Sequence, residues 1–204
     1  MQPLFAATRS GVAAFMTFAG AVLAGGASLR MGRPKAFIEI AGSPMVANVA
    51  DALRSAGADP VMVVGGDSAR IASLRLRAEP DLHPGEGPLG GIVTALRLSP
   101  TAEAVAVLSC DLVVPSACEI RRLADERGDD DVVVPVVDHR PQWTHAVWSL
   151  RALPALEAAF ARGERAPRHA VSDLSVRRLE IDRSNAAAYV DADTTADLPD
   201  DTVT

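Results

Sequence analysis

Lysine is all but missing from this sequence: Lys35 stands alone, and arginine carries every other positive charge among the 20 basic side chains. Aromatic residues make up only 4% of the chain, too few for the stacking platforms on which single-stranded nucleic acids bind. A formal net charge of -6 excludes the basic face that phosphate-rich polymers require. With two cysteines, Cys110 and Cys118, there is no disulfide framework, and a reducing cytoplasm fits. No run of apolar residues approaches the roughly 20 needed for a membrane span. The first 17 residues are apolar in patches but carry Arg9 and have no long uncharged core, so they do not read as a signal peptide. Because Met16 directly precedes the first strand-like run, residues 1–15 are expected to be an upstream start or a disordered leader, and 16–200 one domain.

What is present is an alternation of short Val- and Ala-rich runs with helical patterns. Ala19–Ala24, Phe37–Ile40, Pro60–Val64, Arg75–Glu79, Ala104–Ser109, Asp131–Val137, Trp143–Leu150, Val176–Ile181 and Ala188–Val190 read as strands. Met45–Ala56 has apolar residues at helical spacing and stops at Gly57; Asp67–Leu74, Ile92–Leu98, Ser116–Arg127 and Leu153–Arg162 read as further helices, and Thr195–Leu198 as a closing turn. A loop rich in glycine and proline, His83–Gly91, precedes the third helix. Such an order predicts a largely parallel sheet covered on both faces, with ligands bound beyond the carboxyl ends of the strands.

The densest signal is Leu23 to Lys35, LAGGASLRMGRPK, placed immediately after a strand. Gly25 and Gly26 let backbone N–H groups face a triphosphate without a Cβ in the way, while Arg30 and Lys35 supply charge for its oxygens. It is neither a Walker loop nor the dinucleotide fingerprint, since the spacing of its glycines differs from both. In a chain that otherwise uses arginine, one lysine at the end of this loop suggests a site needing a compact ammonium in place of a planar fork. Asp111, at the carboxyl end of the Ala104–Ser109 run, is positioned as a metal ligand or as a cap of the next helix. His83, His139, His145 and His169 show no metal-ligand spacing and read as ordinary residues.

These motifs resemble those of the molybdenum cofactor guanylyltransferases (MobA-type), within the Rossmann-like nucleotidyltransferases. The likeness stands on Leu23-Ala24-Gly25-Gly26, Arg30-Met31-Gly32 and Lys35, then Gly42-Ser43-Pro44, Asp81, Gly87-Pro88-Leu89-Gly90-Gly91, Cys110-Asp111, Gly163-Glu164-Arg165 and Asp191-Ala192-Asp193-Thr194. The resemblance implies a three-layer Rossmann-like α/β sandwich of the nucleotide-diphospho-sugar-transferase type. It implies transfer of GMP from GTP to the terminal phosphate of molybdopterin with release of pyrophosphate, Mg²⁺ as cofactor, and molybdoenzyme apoproteins or cofactor chaperones as further partners. By the same resemblance Lys35, Arg30 and Asp111 would be catalytic. Leu23, Ala24, Gly25, Gly26, Lys35, Asp81, Gly87, Pro88 and Leu89 would bind the nucleotide, and Asp111, Asp191 and Asp193 the metal. Gln142 and Arg165 would face the acceptor.

The sequence departs from the family in three places. Both asparagines of the last motif are acidic here, Asp191 and Asp193; Gly65-Gly66 ends a strand where guanine-binding members tend to carry an asparagine; and Arg140-Pro141-Gln142-Trp143 matches the pterin-facing motif only in part. Transfer from CTP or to another phosphorylated acceptor, and nucleotide binding without catalysis, remain the alternative expectations.

Overall fold

The computed structural model describes residues 17–26, 34–192 and 197–198. In chain order the elements are β1 (Phe18–Leu23), β2 (Glu39–Ile40), β3 (Ser43–Pro44), α1 (Met45–Ser55), β4 (Val61–Val64), α2 (Ser68–Ser73), β5 (Ala78–Glu79) and α3 (Gly87–Arg97). The second half contributes β6 (Ala104–Ser109), α4 (Ala117–Glu126), β7 (Val132–Val137), β8 (Arg140–Pro141), β9 (Val147–Ser149), α5 (Leu153–Ala161), α6 (Pro167–Ala170) and β10 (Val176–Glu180). Short 3-10 turns cover Lys35–Phe37, Trp143–His145, Leu150–Ala152 and Ala186–Tyr189.

The main sheet runs β10-β7-β9-β6-β1-β4-β5, with β8 beside β7. Its pairings are parallel except where β9 lies antiparallel between β6 and β7, and where β8 folds back on β7. The period-two alternation of strand side chains divides the core into two layers. Phe18, Val22, Ala106 and Leu108 face Val46, Val49, Leu53, Ile120 and Leu123 of α1 and α4. Ala19, Ala21, Val105, Val107 and Trp148 face Ile92, Leu96, Leu156 and Ala159 of α3 and α5. This is the expected three-layer α/β sandwich.

Several boundaries differ from the sequence reading, each for a packing reason. Helix α3 begins at Gly87, not Ile92: glycine disfavours helix in isolation, but Pro88 suits a first turn and the Leu89 N–H donates to the Arg165 carbonyl (3.1 Å). A Cβ at Gly90 would lie 2.9 Å from the His83 Cβ, so the glycines here serve close approach to a neighbouring segment. Phe37–Ile40 and Trp143–Leu150 each split into a 3-10 turn and a shorter strand, and Ala188–Val190 belongs to a 3-10 turn and the extended residue after it. Strand β5 is only Ala78–Glu79, and β8 and α6 carry no periodicity long enough to be read. The expected leader, 1–15, and most of the closing turn at Thr195–Leu198 lie outside the described residues.

Register brings the functional ends of the strands into one row. Leu23 of β1 lies opposite Ser109 of β6 on one side and Val64 of β4 on the other, and Val64 in turn lies opposite Glu79 of β5.

Candidate active site

Beyond that row the described residues line three adjoining clefts that share Gly25, with volumes of about 330, 390 and 340 Å³. The first lies between the glycine loop (Leu23, Ala24, Gly25, Gly26), Lys35 and Asp111. The second runs over Gly65, Gly66, Glu79 and Asp81, and the third reaches from Gly26 and Asp81 to Gly87, Pro88 and Thr144. Gly25 and Gly26 are not in the left-handed region. A Cβ added at Gly26 would meet nothing within 4 Å. What glycine provides at this loop is therefore open room in front of the backbone. Gly65 is different: its φ is +76°, and a Cβ there would stand 3.0 Å from the Gly25 Cα, so the β4 end is bare backbone packed on the glycine loop.

Lys35 starts a 3-10 turn held down by burial of Ala36 and by stacking of the Arg70 guanidinium over the Phe37 ring at 3.9 Å. Its Nζ donates to Asp111 Oδ2 at 3.0 Å, and each side chain is only 15% exposed. The Ser109 hydroxyl donates to the other carboxylate oxygen, Asp111 Oδ1. Asp111 thus has both oxygens oriented by neighbours at the mouth of the first cleft. Asp81 is braced as firmly: Thr94 Oγ1 (2.9 Å) and the His83 N–H (3.0 Å) both donate to Oδ1, while Oδ2 faces Gly25.

The C-terminal segment completes this wall. Asp191 pairs with Leu112 in an antiparallel bridge, the Ala192 N–H donates to the Asp111 carbonyl (2.8 Å), and the Val113 N–H donates to the Val190 carbonyl (3.0 Å). Asp191 is thereby set opposite Leu112, with its main chain beside that of Asp111. Its Oδ1 lies 3.1 Å from Nε2 of the wholly buried His145. The segment is pinned from behind by Glu119 on α4, which accepts from Asn185 Nδ2 (3.0 Å), Tyr189 Oη (3.4 Å) and Arg122 Nη1 (3.2 Å). Burial and the nearby Glu119 carboxylate push the Tyr189 hydroxyl above its usual range.

Asp111 and Asp191 are hard oxygen donors, and two carboxylates completed by water and substrate phosphates suit Mg²⁺ or Mn²⁺. No group of three or more His, Cys, Asp or Glu side chains converges as a metal site among the described residues. Cys110 is no nucleophile: burial first, then Asp111, pushes its thiol up to about 12.

The structure therefore brings Leu23, Ala24, Gly25, Gly26, Lys35, Asp81, Gly87, Pro88 and Asp111 to one set of clefts, with Asp191 alongside. It does not bring Leu89 to them, since that side chain is fully buried and its N–H is engaged. The Arg165 guanidinium lies on Glu86 (2.5 Å) and over the Phe160 ring (4.1 Å), by the start of α3. Gln142 is at the turn after β8, where its Nε2 donates to the Arg140 carbonyl (3.2 Å). Arg30 and Asp193 lie outside the described residues. Sequence reasoning passed over Ser109, Thr94 and His145. Thr94 carried a signal, a polar residue on the apolar face of a helix, whereas His145 gave none because its partner is remote in the chain.

Residues 20–178 match the family model for the MobA-like NTP transferase domain. The chain is 35% identical over 165 residues, 78% of this chain and 80% of the relative, to a protein of Opitutus terrae named a probable molybdenum cofactor guanylyltransferase. Molybdopterin-guanine dinucleotide biosynthesis protein A of Archaeoglobus fulgidus superposes with a TM-score of 0.71 at 23% identity, covering 87% of this chain and 93% of that one. A Mycobacterium tuberculosis protein solved in complex with manganese superposes with a TM-score of 0.64 at 19% identity, covering 89% and 96%.

Proposed function

This chain belongs to the MobA-like NTP transferase family, and from that membership we propose that it transfers GMP from GTP to the terminal phosphate of molybdopterin, releasing pyrophosphate. The observation that carries the reading is the Lys35–Asp111 pair, 3.0 Å apart and largely buried at the mouth of a cleft lined by the glycine loop.

In the reaction an acceptor phosphate oxygen bonds to the α-phosphorus of the nucleotide, and the bond from that phosphorus to the bridging oxygen of pyrophosphate breaks. The acceptor needs no general base, because a phosphate monoester with a second pKa of about 6 is already ionised. The work left to the protein is alignment of two anions and stabilisation of charge on the bridging oxygens. Backbone N–H groups around Gly25 and Gly26 face the phosphates, and Lys35 neutralises charge on the leaving pyrophosphate, joined by Arg30. Asp111 and Asp191 hold the divalent cation, with Asp193 as a further donor. When bound, Mg²⁺ supplies Lewis-acid stabilisation of the phosphoryl oxygens. Manganese in the complex of the structural neighbour supports use of a divalent cation. In this reading the Asp81 carboxylate oxygen that faces Gly25 would accept from base N–H groups, Gly87 and Pro88 line the far end of the third cleft, and Gln142 and Arg165 would face the acceptor. Product would pass to apoenzymes or cofactor chaperones in the cytoplasm, where Cys110 and Cys118 stay reduced.

A second reading, the same transfer from CTP, is favoured by Gly65, where no side chain reaches toward a base. A panel of GTP and CTP with molybdopterin and other phosphorylated acceptors, read by pyrophosphate release, separates the two. Tight nucleotide binding with no pyrophosphate from any acceptor would instead make this a binding protein.

A further inference from the structure

His145 is wholly buried, in the turn between β8 and β9. Its main chain is tied on both sides: the His145 N–H donates to the Gln142 carbonyl (2.9 Å), and the next carbonyl, that of Ala146, accepts from Val107 of β6 (2.9 Å). The ring cannot withdraw to water, and burying an imidazole without a partner is costly. Among the described residues neither ring nitrogen makes an aligned hydrogen bond. The polar group it does approach is Asp191 Oδ1, at 3.1 Å, an oxygen that is itself buried and has no other partner among the described residues. An apolar side chain would fill the same space at no polar cost, so packing does not account for a histidine here.

We propose that His145 is a positioning residue, which donates from Nε2 to Asp191 and fixes that carboxylate beside Asp111 for divalent-cation binding. The inference rests on the reading of Asp111 and Asp191 as the groups that hold the cation. Neither the backbone bridge at Leu112 nor the Glu119 anchor constrains the carboxylate itself, since both act on main chain or on Tyr189 and Asn185. The imidazole is the side chain that comes within 3.1 Å of the Asp191 carboxylate. Histidines linked to metal ligands in this way typically change metal affinity by about 10–100-fold when removed.

The test is Mn²⁺ binding to the nucleotide-free protein by electron paramagnetic resonance, with kinetics at varied Mg²⁺ beside it. His145→Leu should weaken Mn²⁺ binding by at least about tenfold and raise the Mg²⁺ requirement, while the KM for GTP at saturating Mg²⁺ changes little. His145→Gln, which keeps a nitrogen donor at similar reach, should restore most of the affinity. Should His145→Leu fail to fold, the glutamine variant decides: near wild-type Mn²⁺ affinity supports the proposal, and a tenfold loss with normal melting overturns it. Wild-type Mn²⁺ affinity in a folded His145→Leu also overturns it. Asp191→Ala separates the two levels: if that variant binds Mn²⁺ normally, the ligand reading fails, whereas weakened binding in Asp191→Ala with none in His145→Leu sinks the positioning role alone.

Discussion

At the scale of the residue, the chemistry converges on Lys35. Its ammonium is seated against Asp111 at 3.0 Å and is 15% exposed, which is not how a solvated surface charge sits. If it stabilises the charge that develops as pyrophosphate leaves, Lys35→Ala should lower kcat by about a hundredfold to a thousandfold with a smaller change in KM. Lys35→Arg keeps the charge but replaces a compact ammonium with a wide planar group, so it too should lose most activity. Steady-state rates for both variants check this, and wild-type turnover in Lys35→Ala would remove the residue from the mechanism. Asp111→Asn keeps the shape and loses the charge, and should abolish most turnover at limiting Mg²⁺ while leaving the melting temperature close to wild type. The two thiols should separate as cleanly. Cys118 is exposed and should react with a thiol reagent at pH 8, whereas Cys110, half-buried at the first cleft and held protonated by burial and by Asp111, should react far more slowly. The raised value has a sign for stability as well. The folded chain keeps this proton where the unfolded chain, with its ordinary value of 9.0, gives it up, so stability is retained below about pH 9 and falls as pH rises toward 12. Tyr189, raised in the same direction, adds to that alkaline loss.

At the scale of the element, the segment after β10 is what sets Asp191 next to Asp111. Its anchor is Glu119, which accepts from Asn185, Tyr189 and Arg122 in a nearly buried position. Glu119→Leu leaves those donors without their acceptor and should cost about 1–3 kcal/mol. Amide exchange should quicken at Ala192, bonded to the Asp111 carbonyl, and stay unchanged at Val107 in β6; equal protection at Ala192 would mean the segment is held some other way. Elements of this kind also mark what the sequence could and could not tell. Strand β6 was legible to its ends because its whole length is a buried Val- and Ala-rich run, and α4 because Ser116 caps it, accepting from the Glu119 N–H. The start of α3 was not legible, since three glycines and a proline argue for a loop until His83 and Arg165 are seen packed against them. The glycine loop, Lys35 and Asp111 stood out because they punctuate strand ends. The His145–Asp191 contact joins residues 46 positions apart, with no local pattern at either, and only the tertiary structure brings them together.

At the scale of the molecule, the fold is a scaffold that delivers four strand ends, Leu23, Val64, Glu79 and Ser109, to one edge of the sheet. From that edge hang the glycine loop after β1, the bare turn at Gly65 after β4, Asp81 after β5, and Asp111 after β6. Antiparallel β9, between β6 and β7, carries the turn with His145 to the same end. Because the helices pack on the main sheet, a nucleotide bound at this edge should stabilise the whole unit. At a hundred times its dissociation constant, GTP with Mg²⁺ should add about 2.7 kcal/mol, visible as a raised melting temperature. That shift should shrink in Asp111→Asn. The most direct measurement is the fate of the α-phosphate: GTP labelled at that position is incubated with molybdopterin, Mg²⁺ and the protein, with α-labelled CTP in parallel. The account predicts label from GTP in a pterin product, one pyrophosphate released for each label transferred, and loss of both in Asp111→Asn. Label transferred from CTP but not from GTP, or pyrophosphate released with no label in the pterin, would contradict it.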